Sequence, residues 1–512
     1  MQHKNSEKAS ATVFLQNIPP EAQVTTIEYE GPRFAIYTKN PRFFIENSFI
    51  ISDIVSSLKK RIVIRADKSI RKSEAETKEI ILSKLPKDVS VDRFIFDKVL
   101  GEVFIELKDI HKIYSTIGEQ NQEIFSLTGW RPKFRKASSI KSEGLEQVYY
   151  ALQSDWSNRE RILKEVGEYI FRPKIYDKIE VVVSFLGGFQ EVGRSCVYVK
   201  TNESNILIDC GINPGTKNPI DAYPRLDMYL KNLEELDAVI ISHAHLDHCG
   251  FLPVLFKYGY DGPVYCSEPT LYLMSLLLSD FIKVSSSENV AQLFDAKDLR
   301  DMIQHCIPLP YGSVTDISPD TKLILNNAGH ILGSASVHLH FGEGIYNLVY
   351  TGDFKFEKTQ LLEPAQYGFP RVETLIIEST YGSKDDIMPP REEVEKYFVN
   401  TINRTLSNGG KVLIPVPAVG RAQEIMLVLD HYLRTKGIIE CPVFIEGMIT
   451  DATAIHFTFP DYLSPELRTS IIEQGVNPFE SEYFTIINKP DEREEVLQQG
   501  PAIIMATSGM LE

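Results

Sequence analysis

Ser242-His243-Ala244-His245-Leu246-Asp247-His248 follows directly on the apolar stretch Asp237 to Ile241, and these seven residues decide how the rest of the chain is read. Three of the 11 histidines in 512 residues stand here beside one aspartate. At the end of an extended strand, His243 and His245 at i and i+2 point to one side, so two imidazoles can reach a single cation. The chain then turns and presents Asp247 and His248 to a second position, about 3.5–4 Å from the first, the separation used by two-metal hydrolases. A pair of zinc ions fits this ligand set, and its remaining ligands must come from other strand ends. His330, in Asn327-Ala328-Gly329-His330, is expected as the third ligand of the first metal. Asp353, closing Tyr350-Thr351-Gly352-Asp353, is expected to bridge both cations with its two oxygens. Asp209, in Ile208-Asp209-Cys210-Gly211, is expected to orient a ligand histidine.

Composition places this motif in a multidomain chain. Hydrophobic residues make 43% and charged residues 24%, which disfavours wholesale disorder, collagen and coiled coil. No run approaches 18 apolar residues and Met1 to Ser10 is polar, so neither a membrane span nor a signal peptide is expected, and the chain reads as cytoplasmic. Six cysteines without CxxC spacing argue against a disulfide framework or a cysteine zinc site. The net charge of −16 is uneven: the first 180 residues carry +4 and the remainder −20. Two basic runs stand out, Lys59, Lys60, Arg61, Arg65, Lys68, Arg71 and Lys72, then Arg131, Lys133, Arg135, Lys136 and Lys141. A basic front on an acidic body suggests a polyanion-handling module attached to something else.

Two segments near the N-terminus share one pattern: an extended stretch, a turn with glycine, a second extended stretch, a helix and a basic strand. Val24 to Tyr29, Phe34 to Tyr37, a helix over Arg42 to Lys59, and Arg61 to Arg65 fill the first copy. Arg93 to Phe96, Val103 to Leu107, a helical stretch ending before Gly129, and Arg131 to Arg135 fill the second. Such tandem basic units resemble paired KH domains, which clamp nucleic-acid backbone over a GxxG loop. The second copy keeps only Gly118 of that loop, in Ser115-Thr116-Ile117-Gly118, and the first has neither glycine. A charge-rich helical connector over Leu145 to Phe171 leads to apolar runs bounded by glycine, the strands of a large α/β domain. After Tyr381 a helix–strand alternation reads as a βαβ subdomain with a parallel sheet.

The order Asp209, the His243 to His248 motif, His330 and Asp353 resembles the metallo-β-lactamase superfamily. Ile377-Glu378-Ser379-Thr380-Tyr381-Gly382 and Pro417-Ala418-Val419-Gly420-Arg421-Ala422-Gln423-Glu424 resemble its β-CASP branch of nucleases. With KH-like modules in front, the chain from about Pro19 onward resembles the archaeal cleavage and polyadenylation specificity factor family. The resemblance implies an α/β fold: an αββα sandwich with a β-CASP subdomain, preceded by two small α+β modules. Its divisions would be a tail at 1–18, KH-like domains at 19–67 and 68–142, a linker helix at 143–178, the lactamase domain at 179–382 and the β-CASP domain at 383–512. It implies a zinc-dependent endoribonuclease, with 5′-3′ exonuclease activity, acting in RNA 3′-end processing or transcription termination. Catalysis would rest on Asp247, Glu378 and Asp209, and RNA would be held by Gly420 and Arg421, where a helix opens, and by Lys133 and Arg135.

The resemblance also implies two zinc ions per chain and a continuation beyond Glu512 with two further histidines, one completing the second metal site and one protonating the leaving oxygen. The sequence is therefore read as truncated at its C-terminus, with an incomplete second site. Expected partners are RNA, RNA polymerase or another chain supplying the missing part, and a second copy in a homodimer, with no membrane. Two other readings stay open: an RNA-binding scaffold impaired in catalysis, and a hydrolase of a small thioester or lactam. The 130-residue segment after Gly382 disfavours the latter, since a small substrate needs no such lid.

Overall fold

The computed structural model describes residues 18–176, 178–216, 218–287 and 292–508, so the expected tail lies outside it apart from Ile18. Alternating β-branched and aromatic residues build the first sheet, in which Val24–Glu30 pairs antiparallel with Arg33–Thr38 and Ile62–Ala66 joins in parallel. Val91–Asp97, Glu102–Leu107 and Arg131–Lys136 repeat that arrangement. The helix expected over 42–59 is two helices, Pro41–Glu46 and Ser48–Leu58. Asn47 divides them, because its side-chain amide donates to the Phe43 carbonyl at 2.9 Å and closes the first. The connector is broken in the same way, into Glu143–Ser154 and Trp156–Ile170. There the Asp155 carboxylate accepts the Asn158 N–H at 3.1 Å and restarts the helix as its N-cap.

The central domain is a sandwich of a six-stranded and a five-stranded sheet. In the first the strands lie in the order 306–308, 264–266, 238–240, 205–208, 196–200, 182–187. The first four run parallel, so their C-terminal ends open on one side. In the second the order is 315–316, 321–327, 335–341, 346–350, 374–376, antiparallel except for the last pair. Val197, Ile206, Ile240, Leu325, Val337 and Leu348 are buried between the sheets. The outer face of the six-stranded sheet shares a core with the long helix Glu268–Ser287, the helix Glu143–Ser154, the second KH-like module and the C-terminal part. That last part is a four-stranded parallel sheet, in the order 411–416, 502–507, 443–446, 484–487, with helices Arg391–Ser407, Arg421–Arg434 and Met448–Thr458.

Several residues of the first basic run hold its module in place. Lys60 pairs with Asp316 at 3.1 Å, Arg61 donates to Thr315, and Lys68 pairs with Glu160, so the first run docks its module onto the sandwich and connector. Arg65 is buried between the modules, 2.8 Å from Glu30 in its own copy and 2.8 Å from Glu102 in the other. Burial pushes the Glu102 carboxyl up, but Lys133 and Arg65 overrule it and hold the group at about 2 instead of 4.5. The folded chain thus takes up this proton later than the unfolded chain. The contribution is whole above pH 4.5 and is lost as the pH falls from there toward 2. Arg65→Met strands two buried carboxylates and should cost about 3–5 kcal/mol at neutral pH. Urea denaturation from pH 7 to 4 should show the deficit shrinking as the stranded carboxylates become protonated.

Candidate metal centre

The strand ends carry the site. The strand Ala238–Ile240 leads into Ser242 and His243 and the short helix Leu246–Cys249, which turns Asp247 and His248 back toward the sheet edge. His330 follows the strand Thr321–Asn327, and Asp353 follows Tyr346–Tyr350. His330 and Asp353, 87 and 110 positions downstream of His243, thus arrive at one point. His243, His245, His330 and Asp353 each offer a ligand atom, all within 4.8 Å of one another. His330 Nε2 stands 3.2 Å from His245 Nδ1, close to the spacing of two nitrogens each about 2.1 Å from one tetrahedral ion.

Asp353 divides its two oxygens. Oδ2 lies 3.5 Å from His330 Nε2 and 3.9 Å from His243 Nε2, whereas Oδ1 faces His248 Nε2 at 3.4 Å. Asp247 Oδ2 lies 3.8 Å from the same His248 nitrogen. Two donor groups are therefore present, sharing one carboxylate. Burial, then the charge of His245, pushes the His330 imidazole down to about 3, and Arg421 adds to the effect. Burial also holds His243 well below its ordinary value, with the neighbouring imidazoles acting the same way. Burial pushes the Asp353 carboxyl up, but the hydrogen bond and charge of His248 outweigh it and hold the group at about 2. Neutral imidazoles facing an ionised carboxylate are the protonation states that metal binding requires. His243 Nε2 is buried without any hydrogen-bond partner, which would cost about 1–3 kcal/mol if nothing ever bound it. This donor set fits a divalent cation.

Asp209 sits behind the cluster, fully buried and at φ 58°, a left-handed backbone conformation that a non-glycine residue adopts only when its surroundings hold it there. Its carboxylate accepts from His248 Nδ1 at 2.7 Å, from the Ser242 N–H and hydroxyl at 2.7 Å each, and from the Tyr350 hydroxyl at 2.8 Å. Burial disfavours charge on His248, but Asp209 and Asp353 outweigh it and lift its pKa well above the ordinary value. Two residues later Gly211 lies so close to the ligand loop that a Cβ there would stand 1.7 Å from the Asp247 carbonyl oxygen.

The remaining expected residues are spread more widely. Glu378 follows the strand Thr374–Ile376 at the same sheet edge, and its carboxylate accepts the Thr380 N–H at 2.8 Å. Arg421 is exposed at the start of its helix, close enough for its charge to act on His330. Gly420, at φ 82°, lets that helix start pack on the ligand loop, since a Cβ would meet Ile331 at 2.7 Å. Lys133 is exposed beside a cleft of 480 Å³ between the two KH-like modules, lined by Phe44, Ile51, Phe125 and Arg131. Arg135 has to be corrected. It is 8% exposed, pairs with Glu268, donates to the hydroxyls of Tyr149 and Tyr272, and packs over the Phe104 ring. Its charge is spent on holding the second module against the sandwich, so it is not available to a nucleic acid. Sequence reasoning passed over Ser242 and Tyr350, although both stand next to motif residues.

Profiles of known families match along the chain. One described as Metallo-beta-lactamase superfamily covers residues 190–394, and one described as Beta-Casp domain covers 422–512. A third, described as Transcription termination factor FttA, KH domain, covers 4–71. A curated protein named Transcription termination factor FttA, from Cenarchaeum symbiosum, is 49% identical over 99% of this chain and 79% of its own length. The chain belongs to the FttA family. FttA relatives from Methanothermobacter thermautotrophicus and Methanocaldococcus jannaschii are 47% and 46% identical, over 97% and 98% of this chain and 78% and 80% of theirs. These alignments run through nearly the whole of this chain and about four fifths of each relative. Among the described residues, no helix is long and apolar enough to cross a membrane.

Proposed function

We propose that the chain is a zinc-dependent ribonuclease that cuts single-stranded RNA in transcription termination. The observation that carries this reading is the division of the Asp353 oxygens between two donor groups. His243, His245, His330 and Asp353 would hold one cation, and Asp247, His248 and Asp353 a second. When bound, such cations polarise a phosphoryl oxygen and lower the pKa of water. The part-exposed Asp247 carboxylate would take the proton of the attacking water, and Asp209 would keep His248 oriented. Arg421, with the first N–H groups of its helix, would hold the RNA phosphate beside His330. Glu378 would support proton transfer from its strand end, and Lys133 would meet the RNA backbone at the KH-like modules. The names of the relatives support a role in termination, which adds RNA polymerase and a cytoplasmic setting to the proposal, with a homodimer as a further expectation.

The test is cleavage of a 5′-labelled single-stranded RNA by purified protein with added Zn²⁺. Cutting that EDTA stops and fresh Zn²⁺ restores is expected. RNA left intact by protein that holds two zinc ions would overturn the enzyme reading. A second reading, RNA binding without catalysis, is favoured by the three donor residues that the described chain brings to the second position, against four at the first. Zinc analysis separates them: near two per chain supports the nuclease, one or none the scaffold.

A further inference from the structure

The hydrogen bonds around Asp209 can be read for proton positions. The Ser242 hydroxyl, 2.7 Å from Asp209 Oδ2, donates its hydrogen to that carboxylate. The same hydroxyl oxygen lies 3.0 Å from His243 Nδ1 and, with its hydrogen already committed, can only accept there. His243 therefore carries its proton on Nδ1, which leaves the Nε2 lone pair facing the cluster, where that atom is buried and unpartnered. His248 also gives its Nδ1 proton to Asp209, directly. One carboxylate thus governs a histidine in each of the two donor groups. Tyr350, from the strand Tyr346–Tyr350 in the opposite sheet, donates to the same oxygen and ties this arrangement to the strand that ends in Asp353.

We propose that Ser242 and Tyr350 are positioning residues that, through Asp209, lock His243 with its Nε2 lone pair, and His248 with its Nε2 edge, toward the cation positions and so couple the two. This rests on the reading of the cluster as a cation site. Neither residue touches a cation or substrate. Their effect is exerted before binding, by removing the tautomers and ring orientations that cannot ligate.

The experiment measures Zn²⁺ binding to the full chain, by competition with a chromophoric chelator, in the wild type, Ser242→Ala, Ser242→Thr and Tyr350→Phe. Ser242→Ala should weaken binding about tenfold or more, and Tyr350→Phe should weaken it within the range of about 10–100-fold that such outer partners contribute. Ser242→Thr, which keeps the hydroxyl, should recover most of the loss. In the cation-free chain, ring ¹⁵N spectra should show His243 as a single Nδ1–H form in the wild type and as a tautomer mixture in Ser242→Ala. A purely structural role would lower thermal stability without moving affinity or tautomer. Wild-type affinity in both Ser242→Ala and Tyr350→Phe, or no recovery in Ser242→Thr, overturns the proposal. If Ser242→Ala does not fold, Tyr350→Phe, which removes one buried oxygen and nothing else, decides alone. Wild type that binds no Zn²⁺ overturns the cation site itself. Zn²⁺ binding without RNA cleavage overturns only the nuclease reading.

Discussion

Asp353→Ala should abolish RNA cleavage, by about 10⁴-fold or more, and leave at most one zinc ion per chain. Among the described residues, Asp353 is the one whose oxygens face both donor groups, 3.5 Å from His330 on one side and 3.4 Å from His248 on the other. Its removal takes a ligand from each position at once. A bound cation contributes several kcal/mol to stabilising charge in the transition state, and about 5.4 kcal/mol corresponds to that factor of 10⁴. The cation-free fold should lose modest stability, because a carboxyl held at about 2 favours the folded chain, while His248 keeps its bond to Asp209. Zinc analysis, RNA cleavage and a thermal melt in EDTA check the three parts together. A variant that keeps two cations would show that Asp353 is not the shared ligand.

Gly211→Ala should damage the centre without altering any ligand. The added Cβ would lie 1.7 Å from the Asp247 carbonyl oxygen, 2.1 Å from its carbon and 2.6 Å from the His248 nitrogen. All three are backbone atoms, and the same backbone is held by Ser195 donating to the Asp247 carbonyl at 2.8 Å and Cys210 donating to the His248 carbonyl at 2.7 Å. No rotamer relieves such a clash, so the ligand loop has to move as a unit, and overpacking of this kind costs about 3 kcal/mol or more. Urea denaturation should show that loss in EDTA. Zn²⁺ binding should fall by at least the same factor as when an outer partner is removed, about 10–100-fold. A variant with wild-type stability and zinc affinity would mean that the strand end and the ligand loop do not pack as described.

The His/Asp cluster was legible in the sequence because its logic is local. Strand periodicity sets His243 and His245 on one side, and a glycine-flanked histidine or a Gly-Asp at a strand end marks where a further ligand can enter. The two helix breaks were not legible, because they turn on single side chains. Asn47 and Asp155 each offer one hydrogen bond that competes with helix continuation, and residue propensity over the window does not register it. The role of individual charges was not legible for a related reason. A run of lysines and arginines says that the cations need partners, and Arg65 and Arg135 found theirs in carboxylates 35 and 133 positions away.

The sequence by itself determined the class of fold and the candidate metal-binding groups, since each follows from patterns along a few residues. Tertiary structure alone decided which carboxylate serves which histidine, and which basic residues hold modules together instead of facing solvent. Those outcomes depend on distances between strands far apart in the chain, and hydrogen bonding in a buried site changes its result over a few tenths of an ångström.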